Sequence, residues 1–197
     1  MIVLVGAEGQ PFSVYQDVIC ASSKFFKAAC SERWVEGKEK KVSLPEVKPK
    51  HFQQYVAWLY SGNYQLQASQ TDTAIAIGAA IETGLELYIL GDVLDDIRFR
   101  NKMMENLANS DLRYFPHPAT LCVLWERTPP TSLMRKMYVE RLIMRADRKV
   151  VTALVKEYPT ELIQQVVVES LLRIGVSTPE MFDAKVESFL EPVSEDD

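Results

Sequence analysis

The sequence predicts an α+β protein, a small sheet covered by helices and followed by an all-helical extension. Three observations predict it. Short apolar or alternating runs that suit strands all fall before residue 45. After Tyr64 the strand signals stop and apolar residues recur at helical spacing instead. The composition is that of an ordinary globular chain: 197 residues, 47% hydrophobic and 25% charged, long enough for one large core or two small ones.

Ile2 to Val5 is an apolar run ended by Gly6-Ala7-Glu8-Gly9-Gln10-Pro11, which reads as a strand and a turn. Residues 12–15 alternate and complete a hairpin. Val18, Ile19, Phe25, Phe26 and Ala29 suit two short helices with a break at Ser22-Ser23, where a hydroxyl caps the second helix. Residues 40–44 predict a third strand, with Val42 and Leu44 on one face. Pro49 opens a helix at its first position. Phe52, Val56 and Leu59 mark its apolar stripe with Tyr55 alongside, and Gly62-Asn63 ends it. Lys48 is a poor cap, a cation at the positive end of the helix dipole.

Residues 71–90 predict a helix through Ile75, Ile77, Ala79, Ile81, Leu85, Tyr88 and Ile89, broken at Gly91-Asp92 and resumed over 93–107. Further helices are predicted over 119–127, 133–145, 149–157, 161–174 and 179–190, punctuated by Pro116, Pro118, Pro129-Pro130 and Pro159. These divisions place a mixed domain at 1–110, a helical extension at 111–190 and an acidic, disordered tail at 191–197.

Charge narrows the function. The chain carries a net −5, and a nucleic-acid binder would advertise a basic face. The charge is uneven. Residues 1–66 hold eight Lys+Arg against six Asp+Glu, a net +2, and the remainder holds fourteen against twenty-one, a net −7. An acidic protein partner therefore suits the first block better than nucleic acid. No apolar run approaches the length of a membrane span. Cys20, Cys30 and Cys122 are an odd, widely spaced set, which predicts no disulfide framework and an intracellular, cytoplasmic or nuclear setting. His51 and His117 have no Cys or His at ligand spacing, so neither metal nor cofactor is expected. Gly6-Ala7-Glu8-Gly9 leads into a second strand rather than a helix, so it is a hairpin turn and not a phosphate cradle. Asp95-Asp96 would diverge by about 100° on a helix and make no acid–base pair. Nothing composes a nucleophile, a base and an orienting group, so no enzyme is predicted.

The ordered series of motifs resembles the BTB/POZ domain. It begins with the run Phe12-Ser13-Val14-Tyr15-Gln16-Asp17-Val18-Ile19-Cys20-Ala21-Ser22-Ser23-Lys24-Phe25-Phe26 and continues with Glu36-Gly37 and Lys41-Val42-Ser43-Leu44-Pro45-Glu46. It closes on Pro49-Lys50-His51-Phe52 and Val56-Ala57-Trp58-Leu59-Tyr60-Ser61-Gly62. Leu87-Tyr88-Ile89-Leu90-Gly91-Asp92 with Arg100-Asn101 is similar to BTB proteins of filamentous fungi, which often carry a helical extension resembling Phe115-Pro116 and Glu126-Arg127-Thr128-Pro129. The resemblance spans residues 2 to about 107, and more loosely to about 145. It departs from the family at Tyr15, where a His is usual, and at Gln16, where a basic residue lines the charged pocket of the transcription-factor branch. No counterpart of the strand-swapping element of the long-form branch is expected, so the resemblance does not by itself imply a domain-swapped dimer.

The resemblance implies protein–protein interaction, as an adaptor or scaffold, with a cullin-type ubiquitin ligase as one implied partner. The alternative is a self-assembling, homodimerising structural module without a ligase role. In BTB adaptors the helix matching the Pro49 helix, with the segment after it, contacts the cullin. That marks Lys50, His51, Gln54, Tyr55 and Tyr64 as the candidate partner-binding residues, with Gln53 beside them; the alternative for Tyr55 and Tyr64 is that one or both are tucked into the core. His51 is expected in solvent. Phe25, Phe26, Phe52, Trp58, Leu59 and Tyr60 are expected in the core, and Cys20 and Cys30 as buried structural thiols. Met134, Met137, Tyr138, Leu142 and Met144 form an apolar stripe that either packs on the first domain or binds a partner.

Overall fold

A computed structural model describes residues 1–31, 39–65, 74–109, 116–145 and 155–174. Its elements in chain order are β1 (Ile2–Val5), β2 (Gln10–Ser13), α1 (Gln16–Ser22), α2 (Lys24–Ala29), β3 (Lys41–Leu44), α3 (Pro49–Ser61), α4 (Ala74–Val93), α5 (Ile97–Ala108), α6 (Pro118–Arg127), α7 (Leu133–Arg145) and α8 (Thr160–Ile174). The helix expected over 179–190, the tail 191–197 and the Glu36-Gly37 loop lie outside the described residues. So does most of the helix expected over 149–157, of which residues 155–157 form a turn.

The sheet has strand order β2-β1-β3. β1 runs antiparallel to β2 and parallel to β3, with Val3 beside Val42 and Val5 beside Leu44. Side chains alternate across a strand, so these four share one face, and all four are buried. The β1–β2 turn uses Gly6 and Gly9 at φ +80° and +65°, the left-handed region open to glycine. The second strand lies two residues earlier than the sequence predicts and takes in Pro11.

Three of the predicted signals act as expected. Ser23 separates α1 from α2, and its hydroxyl accepts from Phe26 N at 3.1 Å. Pro49 opens α3 on an uncapped Lys48, and Gly62 closes it at φ +68°.

Two expectations are corrected. The predicted stripe of α3, Phe52-Val56-Leu59, is rotated by about one residue. The helix buries His51, Phe52, Tyr55 and Trp58, leaving Val56 and Leu59 half-buried. The cause lies on α5, where Phe99 packs edge-on against Tyr55 at 5.0 Å and tilted against Trp58 at 4.8 Å. The second correction concerns Gly91, which continues α4 rather than breaking it. A Cβ there would meet Arg100 Cγ at 2.8 Å and Phe99 Cδ1 at 3.1 Å. The glycine permits close packing of α5. The chain turns three residues later, at Leu94–Asp96, with Asp95 at φ +44°.

One hydrophobic core joins both predicted parts. It runs from Val3 and Val42 through Phe52 and Phe99 to Leu121, Trp125, Met134, Tyr138 and Leu162. Of the predicted Met stripe, Met134 and Tyr138 are in this core, and Met144 is exposed. Arg135 fastens the extension internally. It donates to the carbonyls of Trp125 and Thr128 and to Thr128 Oγ1, filling acceptors that the C-terminal end of α6 leaves open, and its guanidinium lies over the Trp125 ring. Arg141 donates to Leu107 O at 3.0 Å and so ties α7 to the end of α5.

Candidate interaction surface

Beneath the surface of α3 lies a buried polar node. Asp96 is fully buried and caps α5 by accepting from Phe99 N at 3.0 Å. Its other oxygen accepts from Ser22 Oγ at 2.6 Å and Tyr55 Oη at 2.9 Å. Ser23 Oγ donates to Leu94 O at 2.5 Å. A buried carboxylate is tolerable only when its lone pairs are filled, and here α1, α3 and α5 each fill part of them. Burial, with the Asp96 charge beside it, pushes the Tyr55 phenol well above its usual range.

His51 is also inside. Its Nδ1 lies 3.9 Å from Glu86 Oε2, and Lys48 Nζ donates to the other oxygen, Glu86 Oε1, at 3.0 Å. Burial lowers the His51 pKa to about 4, opposed by Glu86 and helped by Lys50 and Lys48. His51 is therefore a neutral packing residue at neutral pH.

The five residues expected at a partner surface therefore divide. Lys50 is exposed, Gln54 and Tyr64 are half-buried, and His51 and Tyr55 are buried. The expectation that His51 sits in solvent is corrected, and of the two readings of Tyr55 the structure gives the core one. Both belong to the core face of α3, turned inward by the packing on Phe99 and by the Asp96 bond. Tyr64 is held near α5 by Asn106 Nδ2, which donates to its carbonyl at 3.1 Å, and burial raises its phenol.

What α3 does present is a stripe of exposed positions at Lys50, Gln53, Ala57 and Tyr60. Tyr60 was expected in the core and is 50% exposed. Its hydroxyl accepts from Tyr15 N at 3.0 Å, and the two rings meet edge-on at 6.4 Å. Tyr15, which caps α1, is 75% exposed. Sequence reasoning missed this pair. Tyr60 stands at the edge of the expected stripe Phe52-Val56-Leu59, and it turns outward with the one-residue rotation of α3.

Comparison with known proteins adds the family. Residues 1–82 match the BTB/POZ domain. The match and the sheet-with-helices architecture together give this part of the chain the BTB/POZ fold. BTB/POZ domains are protein–protein interaction modules, and residues 1–82 are similar to them. The matched stretch ends inside α4, while the packing of the BTB/POZ core continues to Phe99, Met103 and Leu107. No curated protein matches the chain. Among the described residues no helix is long and apolar enough to cross a membrane, and no group of His, Cys, Asp or Glu is placed to hold a metal.

Proposed function

We propose that the protein is an adaptor or scaffold that docks a protein partner on the exposed stripe of α3, and that a cullin-type ubiquitin-ligase scaffold is such a partner. The observation that carries this reading is the stripe Lys50-Gln53-Ala57-Tyr60, extended by Tyr15, on the surface of a BTB/POZ domain. Exposed tyrosines supply large, stiff contact area and recur as interface anchors. Lys50 adds a positive charge suited to an acidic partner, in keeping with the net +2 of residues 1–66. Gln54 and Tyr64 lie at the margin of this surface. His51 and Tyr55 support it from behind.

In this reading residues 1–110 are the interaction domain and 111–190 a helical companion that shares its core. The tie between Arg141 and Leu107 O supports the companion role.

The test is a pull-down of a cullin N-terminal domain by the purified chain, with light scattering on the same sample. Retention at tens of micromolar supports the adaptor role. Absence of binding at about that concentration, with a homodimer in light scattering, moves the assignment to a self-assembling module. A non-binding monomer removes both.

A further inference from the structure

The interaction role leaves unused two thiols that meet at the elbow between α1 and α2. Cys20 lies in α1 and Cys30 is the C-cap of α2. Ten residues along an unbroken helix would separate them by about 15 Å. The extended backbone of Ser23, φ −101° and ψ 123°, folds the chain back instead. The two Sγ atoms are 2.9 Å apart. A disulfide needs about 2.05 Å, so closing the bond asks for a shift of under about 1 Å. Both cysteines are half-buried rather than sealed in the core. Cys20 Sγ also lies 3.5 Å from Phe26 O, and Cys30 Sγ lies 3.6 Å from Met1 Sδ.

We propose that Cys20 and Cys30 form a reversible redox pair, closed to an intramolecular disulfide by a small hydroperoxide and reopened by a thiol reductant. One sulfur, as thiolate, attacks hydrogen peroxide. The O–O bond breaks, the sulfur becomes a sulfenic acid, and hydroxide leaves to take up a proton as water. The second thiol then attacks the sulfenic sulfur, the S–S bond forms, and a second water departs. The two thiols lose two electrons and two protons in all, and peroxide becomes two waters. Reduction by two glutathione thiols reverses the change and yields glutathione disulfide. Burial, reinforced by the neighbouring Cys30, pushes the Cys20 thiol up to about 12. The bridge would fasten α1 to α2 directly behind Ser23.

The test treats the reduced full chain with hydrogen peroxide, blocks remaining thiols with iodoacetamide and maps the peptides by mass. The expected result is loss of two hydrogens from the intact mass, a linked Cys20–Cys30 peptide and an alkylated Cys122, all reversed by glutathione. Cys122→Ser should keep the loss, and Cys30→Ser should abolish it. Cys20 and Cys30 both alkylated after treatment, oxygen adducts without a link, or a covalent dimer through Cys122 would each overturn the proposal. The peptide map of the unaltered chain decides the matter even where a cysteine variant folds poorly.

Discussion

Asp96 shows how one side chain can fix the positions of three helices. Its carboxylate accepts from Phe99 N, Ser22 Oγ and Tyr55 Oη. Asp96→Ala removes the cap of α5 and leaves the buried Tyr55 hydroxyl without that acceptor. A lost cap costs about 1 kcal/mol and a stranded buried donor about 1–3 kcal/mol. The expected loss is roughly 3 kcal/mol, read as a fall in Tm of about 6–12 °C. Tyr55→Phe, which gives up one bond and keeps the ring, should lose roughly half as much. His51 gives a pH signature. Its folded pKa of about 4 lies below the ordinary 6.5, so the unfolded chain takes up a proton first as pH falls. The stability it contributes is full above about pH 6.5 and drains away toward pH 4, by an amount on the order of 2 kcal/mol. Urea unfolding at pH 7 and pH 4.5 should show a smaller difference for His51→Gln than for the unaltered protein.

Among the elements, those legible in the sequence are the ones whose residues answer to local rules. The apolar run Ile2–Val5, the alternation of Val42 and Leu44, the Ser23 cap, and the Pro49 start and Gly62 end of α3 all come from neighbours in the chain. The misread features come from distant ones. Gly91 looks like a helix breaker, and its use becomes plain only when Phe99 and Arg100 are seen against it. Gly91→Ala should therefore reverse the usual helix gain of about 1 kcal/mol. Overpacking costs about 1–3 kcal/mol, and a net destabilisation of roughly 1 kcal/mol in urea unfolding is expected. The buried face of α3 was misjudged for the same reason. Phe52-Val56-Leu59 and His51-Tyr55-Trp58 are equally good helical stripes, and only the ring of Phe99 and the carboxylate of Asp96 choose between them. That choice placed Tyr60 outside and His51 and Tyr55 inside, which is why the candidate surface was half legible. The thiol pair was hidden likewise, since ten residues of separation become a contact only through the Ser23 elbow.

Across the whole molecule, the extension and the BTB/POZ block share a core instead of sitting as separate beads. The aromatic path from Phe12 and Phe52 to Tyr55 and Phe99 carries the packing past residue 82. Arg141 and the buried faces of α6 and α7 continue it. A large rigid base of this kind leaves α3 free to present its outer stripe without rearrangement, which favours binding because little ordering is required on association. The most direct measurement is titration of a cullin N-terminal domain with the unaltered chain and with the Lys50→Glu/Tyr15→Ala variant, folding checked by circular dichroism. Saturable binding that the variant weakens by roughly tenfold or more, about 1.4 kcal/mol, is the predicted result. Equal binding by a folded variant would contradict the surface assigned to α3.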